Sequence, residues 1–145
     1  MTKYITQERA RYWPITSELM AQYKDGSHTG KYGGNLHWKD QHAQYHRDGD
    51  KPAIISRDGT LEWYQRHLLH RDGDKPAIIQ ANGALVWYQN NLVHRSHGPA
   101  IIYSDGKREW CINNKNITLE VNEWLAGEEW HGTPEQIAEF QLRFS

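Results

Sequence analysis

The chain has a single cysteine, two phenylalanines, no long apolar run and almost no net charge. Each shortage closes off a class of protein. One cysteine, Cys111, cannot form a disulfide framework within one chain and fits a reducing compartment, so a cytoplasmic setting is the expectation. Without an apolar run of membrane-spanning length no transmembrane helix is expected, and residues 1–8 lack the features of a signal peptide. Lys and Arg number 17 against 18 Asp and Glu, with nine His taken as neutral, for a net charge of -1. That balance provides no global field for phosphates, so nucleic acid is not an expected partner. At 145 residues the chain is one domain-sized unit. The aromatic set is skewed the other way, with seven Trp and eight Tyr.

What is present is repetition. The ten residues from His46 to Ile55, His-Arg-Asp-Gly-Asp-Lys-Pro-Ala-Ile-Ile, recur letter for letter from His70 to Ile79. A third copy from His94 to Ile102 is one residue shorter before its Pro. Each copy is followed by a turn signal and a tryptophan: Asp58-Gly59 before Trp63, Asn82-Gly83 before Trp87, Asp105-Gly106 before Trp110. Gly33-Gly34-Asn35-Leu36-His37-Trp38 supplies a degenerate fourth. Self-similarity at a fixed short period is the signature of a repeat architecture.

Asp-Gly and Asn-Gly between apolar runs predict hairpins, with a two-residue type I′ turn as the first expectation. That turn puts Ile54 opposite Trp63 and Ser56 opposite Leu61 on one face, with Ala53 and Tyr64, and Ile55 and Glu62, on the other. In later copies Ile78 would face Trp87, Ala77 would face Tyr88, and Ile101 would face Trp110. One face is then an Ile/Trp/Leu ladder. Arg66-His67, Asn90-Asn91 and Asn113-Asn114 fall in register where a second turn is needed, and Asn tolerates the left-handed region. Pro52, Pro76 and Pro99 stand where each strand begins.

The expected fold class is mainly β (α+β): an antiparallel meander of about 24-residue hairpin repeats with short helices at both ends. Its parts are an N-terminal helical or capping segment 1–30, repeats over 31–117 (degenerate 31–45, then 46–69, 70–93 and 94–117) and a C-terminal helical segment 118–145, all in one domain. A helix is expected around Glu18-Leu19-Met20-Ala21. Another follows Thr118 as cap and ends at Gly127, and a third opens at Thr133-Pro134 with Ile137, Phe140 and Phe144 on its buried face. Trp13, Trp124 and Trp130 are the expected covers of the Trp face and its open ends.

The order His-Arg-x-x-Gly-Pro-Ala, then Asp-Gly, then Glu-Trp, best kept by residues 94–110, resembles MORN-type repeats, and in its details those of phage and giant-virus proteins. The likeness covers about three fifths of the chain. It implies stacked hairpins in an elongated sheet and, by its viral style, an infected bacterial cell as the setting.

Catalytic motifs are missing. His-Arg-Asp at residues 46–48 and 70–72 lacks the Asn that a kinase catalytic loop needs five residues on, where Ala53 and Ala77 stand. His46, His70 and His94 are one repeat apart, too far to share a metal, and their recurrence points to a structural bond at a turn. His94 and His97 are a weaker pair. Cys111 takes the place of Tyr64 and Tyr88 and reads as a small hydrophobe. The chain therefore reads as a non-enzyme, with no cofactor and no metal.

The binding candidates are Arg47, Arg71, Arg95, Tyr64, Tyr88, His70, His94 and Trp87, since aromatic rings beside Arg can stack and pair with a ligand. Asp48, Asp50, Asp72 and Asp74 flank these Arg residues and would neutralise them through local ion pairs. The second candidate is an acidic partner surface of Glu120, Glu123, Glu128 and Glu129. Residues 118–145 hold six acids and one base, a net of -5. The expectation is an interaction protein that binds, and inhibits, a host protein such as a defence component. The alternative is a sponge that encloses a small nucleotide-like ligand, and an oligomer is compatible with either.

Overall fold

The computed structural model describes residues 2–144. Two helices, α1 (Lys3–Ala10) and α2 (Ser17–Tyr23), precede fourteen short strands. These are β1 (Gly30–Tyr32), β2 (Asn35–His37), β3 (Ile54–Ile55), β4 (Leu61–Glu62), β5 (Tyr64–Gln65), β6 (Leu68–Leu69) and β7 (Ile78–Ile79). There follow β8 (Leu85–Val86), β9 (Tyr88–Gln89), β10 (Leu92–Val93), β11 (Ile101–Ile102), β12 (Arg108–Glu109), β13 (Cys111–Ile112) and β14 (Lys115–Asn116). Helices α3 (Thr118–Leu125) and α4 (Pro134–Phe144) complete the chain. The fold is mainly β, with a large antiparallel sheet and helices at both ends. No helix among the described residues is long and apolar enough to cross a membrane.

One antiparallel sheet runs β1-β2-β3-β4-β7-β8-β11-β12, and β5-β6, β9-β10 and β13-β14 form a row of separate hairpins beside it. Each repeat thus contributes one hairpin to the sheet, bends at its Trp, and contributes a second hairpin to the row. The two hairpins use different turns. At Arg66-His67, Asn90-Asn91 and Asn113-Asn114 both residues have positive φ, 47° and 70°, 49° and 71°, and 48° and 70°, as a type I′ turn requires. These were the turns assigned to the left-handed region.

The Asp-Gly hairpin corrects the expected register. Its loop has three residues: Ser56 N–H donates to Thr60 O and Gly59 N–H to Ser56 O, both at 2.9 Å, with Gly59 at φ 97°. A type I turn followed by a left-handed glycine adds one residue to the loop and moves the pairing by one. Ile54 therefore faces Glu62, and Ile55 faces Leu61. The residues beside the Trp ladder are Ile55, Ile79 and Ile102 with Leu61 and Leu85. Ile54, Ile78 and Ile101, expected on that ladder, go to the opposite face and stay partly exposed.

The ladder face is covered by the N-terminal segment, which runs back along the Trp row. Tyr12 meets Trp87 edge-on with centroids 6.2 Å apart, Tyr23 meets Trp63 at 6.0 Å and His28 meets Trp38 at 6.2 Å. Tyr4 reaches the far end, edge-on to Trp130. Among the expected covers, Trp13 packs against the same core and donates from Nε1 to Ala81 O at 3.2 Å. Gly83 makes room for it, since a Cβ there would come within 3.0 Å of the Trp13 ring.

A second cluster closes the C-terminal end. Trp110, Trp130 and Phe140 are fully buried there with Ile117, Val121 and Leu125, and Trp124 packs against them half-buried. Thr133 caps α4, accepting from Gln136 N–H at 3.2 Å, while Gln136 Oε1 accepts from the His131 and Gly132 N–H groups. Thr118, expected as the cap of α3, is its first helical residue. Its hydroxyl instead accepts from Trp110 N–H and donates to Asn116 Oδ1.

Candidate interaction surface

The three repeat arginines are structural. Arg47, Arg71 and Arg95 are buried, and each guanidinium lies over the Trp of the preceding repeat: 3.7 Å above Trp38, 3.8 Å above Trp63 and 3.9 Å above Trp87. Each Nη1 donates at 3.1 Å to the carbonyl of the Pro in its own loop, Pro52, Pro76 or Pro99. Arg71 forks onto Asp50 through Nε at 2.9 Å and Nη2 at 3.3 Å, and Arg95 forks onto Asp74 at 2.8 and 3.1 Å. Asp50 and Asp74 have positive φ, and their carbonyls accept the indole N–H of Trp63 and Trp87 at 3.1 Å. One aspartate therefore holds its own repeat's Trp and the next repeat's Arg. Such a cation is desolvated, stacked and forked at once, the arrangement for which guanidinium is suited.

The same chemistry extends the repeats further back than expected. Arg47 Nη2 lies 3.3 Å from Asp25, which fills the place of Asp50 one repeat earlier. The Ser27 hydroxyl and backbone N–H, with the neighbouring cations Arg47 and Lys51, hold the Asp25 carboxyl well below the usual range. The degenerate repeat therefore begins near Asp25 rather than at residue 31.

The histidines join adjacent hairpins. Nδ1 of His46, His70 and His94 accepts the backbone N–H of Arg66, Asn90 and Asn113, respectively, at 3.1–3.2 Å. Nε2 of His46 and His70 faces Asp48 and Asp72 at 2.9 and 2.7 Å. A structural bond to a turn was the role expected of them. Asp50 and Asp74 neutralise the arginines as expected, but Asp48 and Asp72 serve the histidines instead. No group of three or more His, Cys, Asp or Glu able to hold a metal occurs among the described residues. Cys111 is buried, and burial beside Glu109 pushes its thiol upward.

Between successive repeat loops lies an open cleft of about 430 Å³, with Trp63, His70, Arg71 and Lys75 in its wall. It is poorly suited to an anion. Arg71 and Lys75 are both held by Asp50, and the rim carries the exposed Asp48 and Asp72. Trp87, a candidate stacking ring, is buried beneath Arg95. Glu120, Glu123, Glu128 and Glu129 are all exposed, the first two on α3 and the others in the loop after it.

The remaining candidates, Tyr64 and Tyr88, lie on successive hairpins of the row beside the sheet. The register aligns His37, Ile54, Glu62, Ile78, Val86, Ile101 and Glu109 in one row across seven strands. All seven are half-buried. The hairpin row forms the second side with Tyr45, Tyr64, Leu69, Tyr88 and Val93, also half-buried. The result is a trough, with Ile54, Ile78, Val86 and Ile101 set among His37, Glu62 and Glu109 along its floor, on the side of the sheet opposite the N-terminal cover. At about 4.8 Å between strands, the aligned row is about 29 Å long. The inward turn of the wrong isoleucine set concealed this surface from sequence reasoning. The signal was the glycine as third loop residue before Thr60, the mark of a three-residue hairpin loop. No family model, no curated protein and no solved structure matches this chain.

Proposed function

We propose that this protein is a non-enzymatic binding protein that recognises another protein through the trough. In the viral setting implied by the repeat style, the partner is a host protein such as a defence component, bound and thereby blocked. The observation that carries the reading is the row of half-buried Ile54, Ile78, Val86 and Ile101, interrupted only by Glu62, beside Tyr64 and Tyr88. Extended apolar surface with aromatic rings is what protein interfaces use, and a rigid sheet presents it with little ordering cost. The nucleotide-sponge reading loses support because the Arg and Trp side chains it needs are already engaged with one another.

The test is selection of binders from a random displayed peptide library on the immobilised protein. Binders are expected to lose affinity for an Ile78→Thr/Ile101→Thr variant, which keeps β-branched side chains but makes the floor polar. They are expected to keep it for Leu142→Ser, a change at an exposed apolar residue of α4. Selection of no trough-dependent binder overturns the reading.

A further inference from the structure

Glu62 stands in the middle of the trough, between Ile54 and Ile78 in the register. It is half-buried, and burial raises its proton affinity, against the opposing effect of a hydrogen bond from Tyr64. That bond, Tyr64 Oη to Glu62 Oε1 at 3.3 Å, is long. Of the other buried or half-buried carboxylates, Glu8 and Asp74 have Arg95, and Asp40 is held by the backbone N–H groups of His42 and Gln44; the more exposed Asp50 has Arg71 and Lys75, and Asp25 has Arg47 and Lys51. Glu109, at the same repeat position as Glu62, has Lys107 at 4.0 Å. Among the described residues no Lys, Arg or His lies within ion-pair distance of Glu62.

Tyr64 and Tyr88 stand beside it. The Tyr45 and Tyr64 rings lie 5.3 Å apart and tilted by 49°. Tyr88, one repeat on, is close enough for the Glu62 charge to raise its phenol further after burial has done so. Burial and the same carboxylate keep the Tyr64 phenol protonated. Tyr45 itself is already engaged, with the His67 ring stacked on it at 4.9 Å and Lys39 Nζ 5.1 Å over its ring. Electron-rich ring faces beside a carboxylate that water reaches only in part are the chemistry that recognises an ammonium or guanidinium group.

We infer that Glu62, with Tyr64 and Tyr88, receives a Lys or Arg side chain of the bound protein segment, whose apolar neighbours seat on Ile54 and Ile78. This rests on the trough being the binding surface and adds the charge that its occupant carries. The cation supplies the partner that Glu8, Asp74 and Glu109 find within the chain.

Trough-dependent binders from the displayed library test it, because Val86 offers a neutral control position. Val86 occupies the repeat position of Glu62 and Glu109, so the backbone there accepts a charged side chain. The expected binders share a Lys or Arg flanked by apolar residues. Glu62→Gln weakens them by about tenfold or more. Val86→Lys, which supplies a cation two strands from Glu62, also weakens them, and Val86→Glu strengthens them. Thermal melts of each variant confirm that the fold is kept. Binders that lose affinity for Ile78→Thr/Ile101→Thr but not for Glu62→Gln overturn this inference and leave the trough reading standing. Binders indifferent to both sets overturn the two together.

Discussion

The repeat interior and the C-terminal end solve one problem, the covering of a tryptophan face, in opposite ways. Within the repeats each of Trp38, Trp63 and Trp87 receives an arginine from the next repeat. Trp110 has no next repeat, and Trp130 and Phe140 pack on it at 4.8 and 5.2 Å instead. The change is prepared in the third loop. Its missing residue removes the aspartate that would serve a following arginine, and Gly98 leaves space for Tyr4 Oη, 3.0 Å from where a Cβ would stand. The Trp110 indole N–H, without an aspartate carbonyl to accept it, has no partner among the described residues. A charged stack can be extended indefinitely. An apolar one terminates it.

Breaking the charged side of this comparison has the largest expected effect. Arg95 is almost wholly enclosed with Glu8, their side chains 4% and 3% exposed, and Glu8 Oε1 lies 2.6 Å from Nη2. Burial works against the Arg95 charge, but Asp74, Tyr4 and Glu8 outweigh it, so the group stays cationic. Arg95→Met leaves Asp74 without its cation and Glu8 with only the exposed Arg11, and is expected to cost about 3–5 kcal/mol in urea unfolding, with partial recovery when Glu8→Gln is added. Phe140→Ala at the apolar end should cost about as much through its cavity, but with no comparable rescue by removing a charge. Equal rescue by Glu8→Gln in both backgrounds would abolish the distinction.

A smaller difference is expected from one substitution made at both ends. Trp87→Phe gives up the bond to the Asp74 carbonyl and weakens the contact with Arg95, whereas Trp110→Phe gives up neither. The first should therefore destabilise by about 1–2 kcal/mol more than the second, read from paired denaturation curves.

The smallest effect is a pH dependence at the junction of the two regions. Burial holds His94 below the ordinary 6.5, and its Nδ1 must be unprotonated to accept the Asn113 N–H. The unfolded chain then takes up a proton first as pH falls, so this contribution is present above about pH 6.5 and is lost below it. His94→Asn, whose amide oxygen can accept the same bond, should flatten the stability curve between about pH 7 and about pH 5. An unchanged slope would remove His94 as its source.

Much of this was legible from the chain alone. The ten-residue identity at a spacing of 24 marked the units, the Asn pairs marked the left-handed second turns, and Thr133-Pro134 marked the start of α4. The recurrence of histidine gave its structural role. Legibility ended at register and at partner choice. A two-residue and a three-residue reading of the Asp-Gly loop differ by one position, and one position exchanges the faces of a strand. That exchange took Ile54, Ile78 and Ile101 from the core to the trough. Likewise Asp48 and Asp50 stand one and three residues from Arg47, yet neither pairs with it. Asp50 reaches Arg71, twenty-one residues away, because its left-handed backbone aims the carboxylate across to the next repeat.

By itself, then, the sequence determined a stacked hairpin array with helical ends, because turn residues and apolar periodicity act over a few neighbouring positions. Only the tertiary structure decided that the conserved spacing of Arg, Trp and Asp builds a core and that the open surface lies on the other face. Those outcomes depend on which side chains meet between repeats, and that is set by strand register and by the bend at each tryptophan.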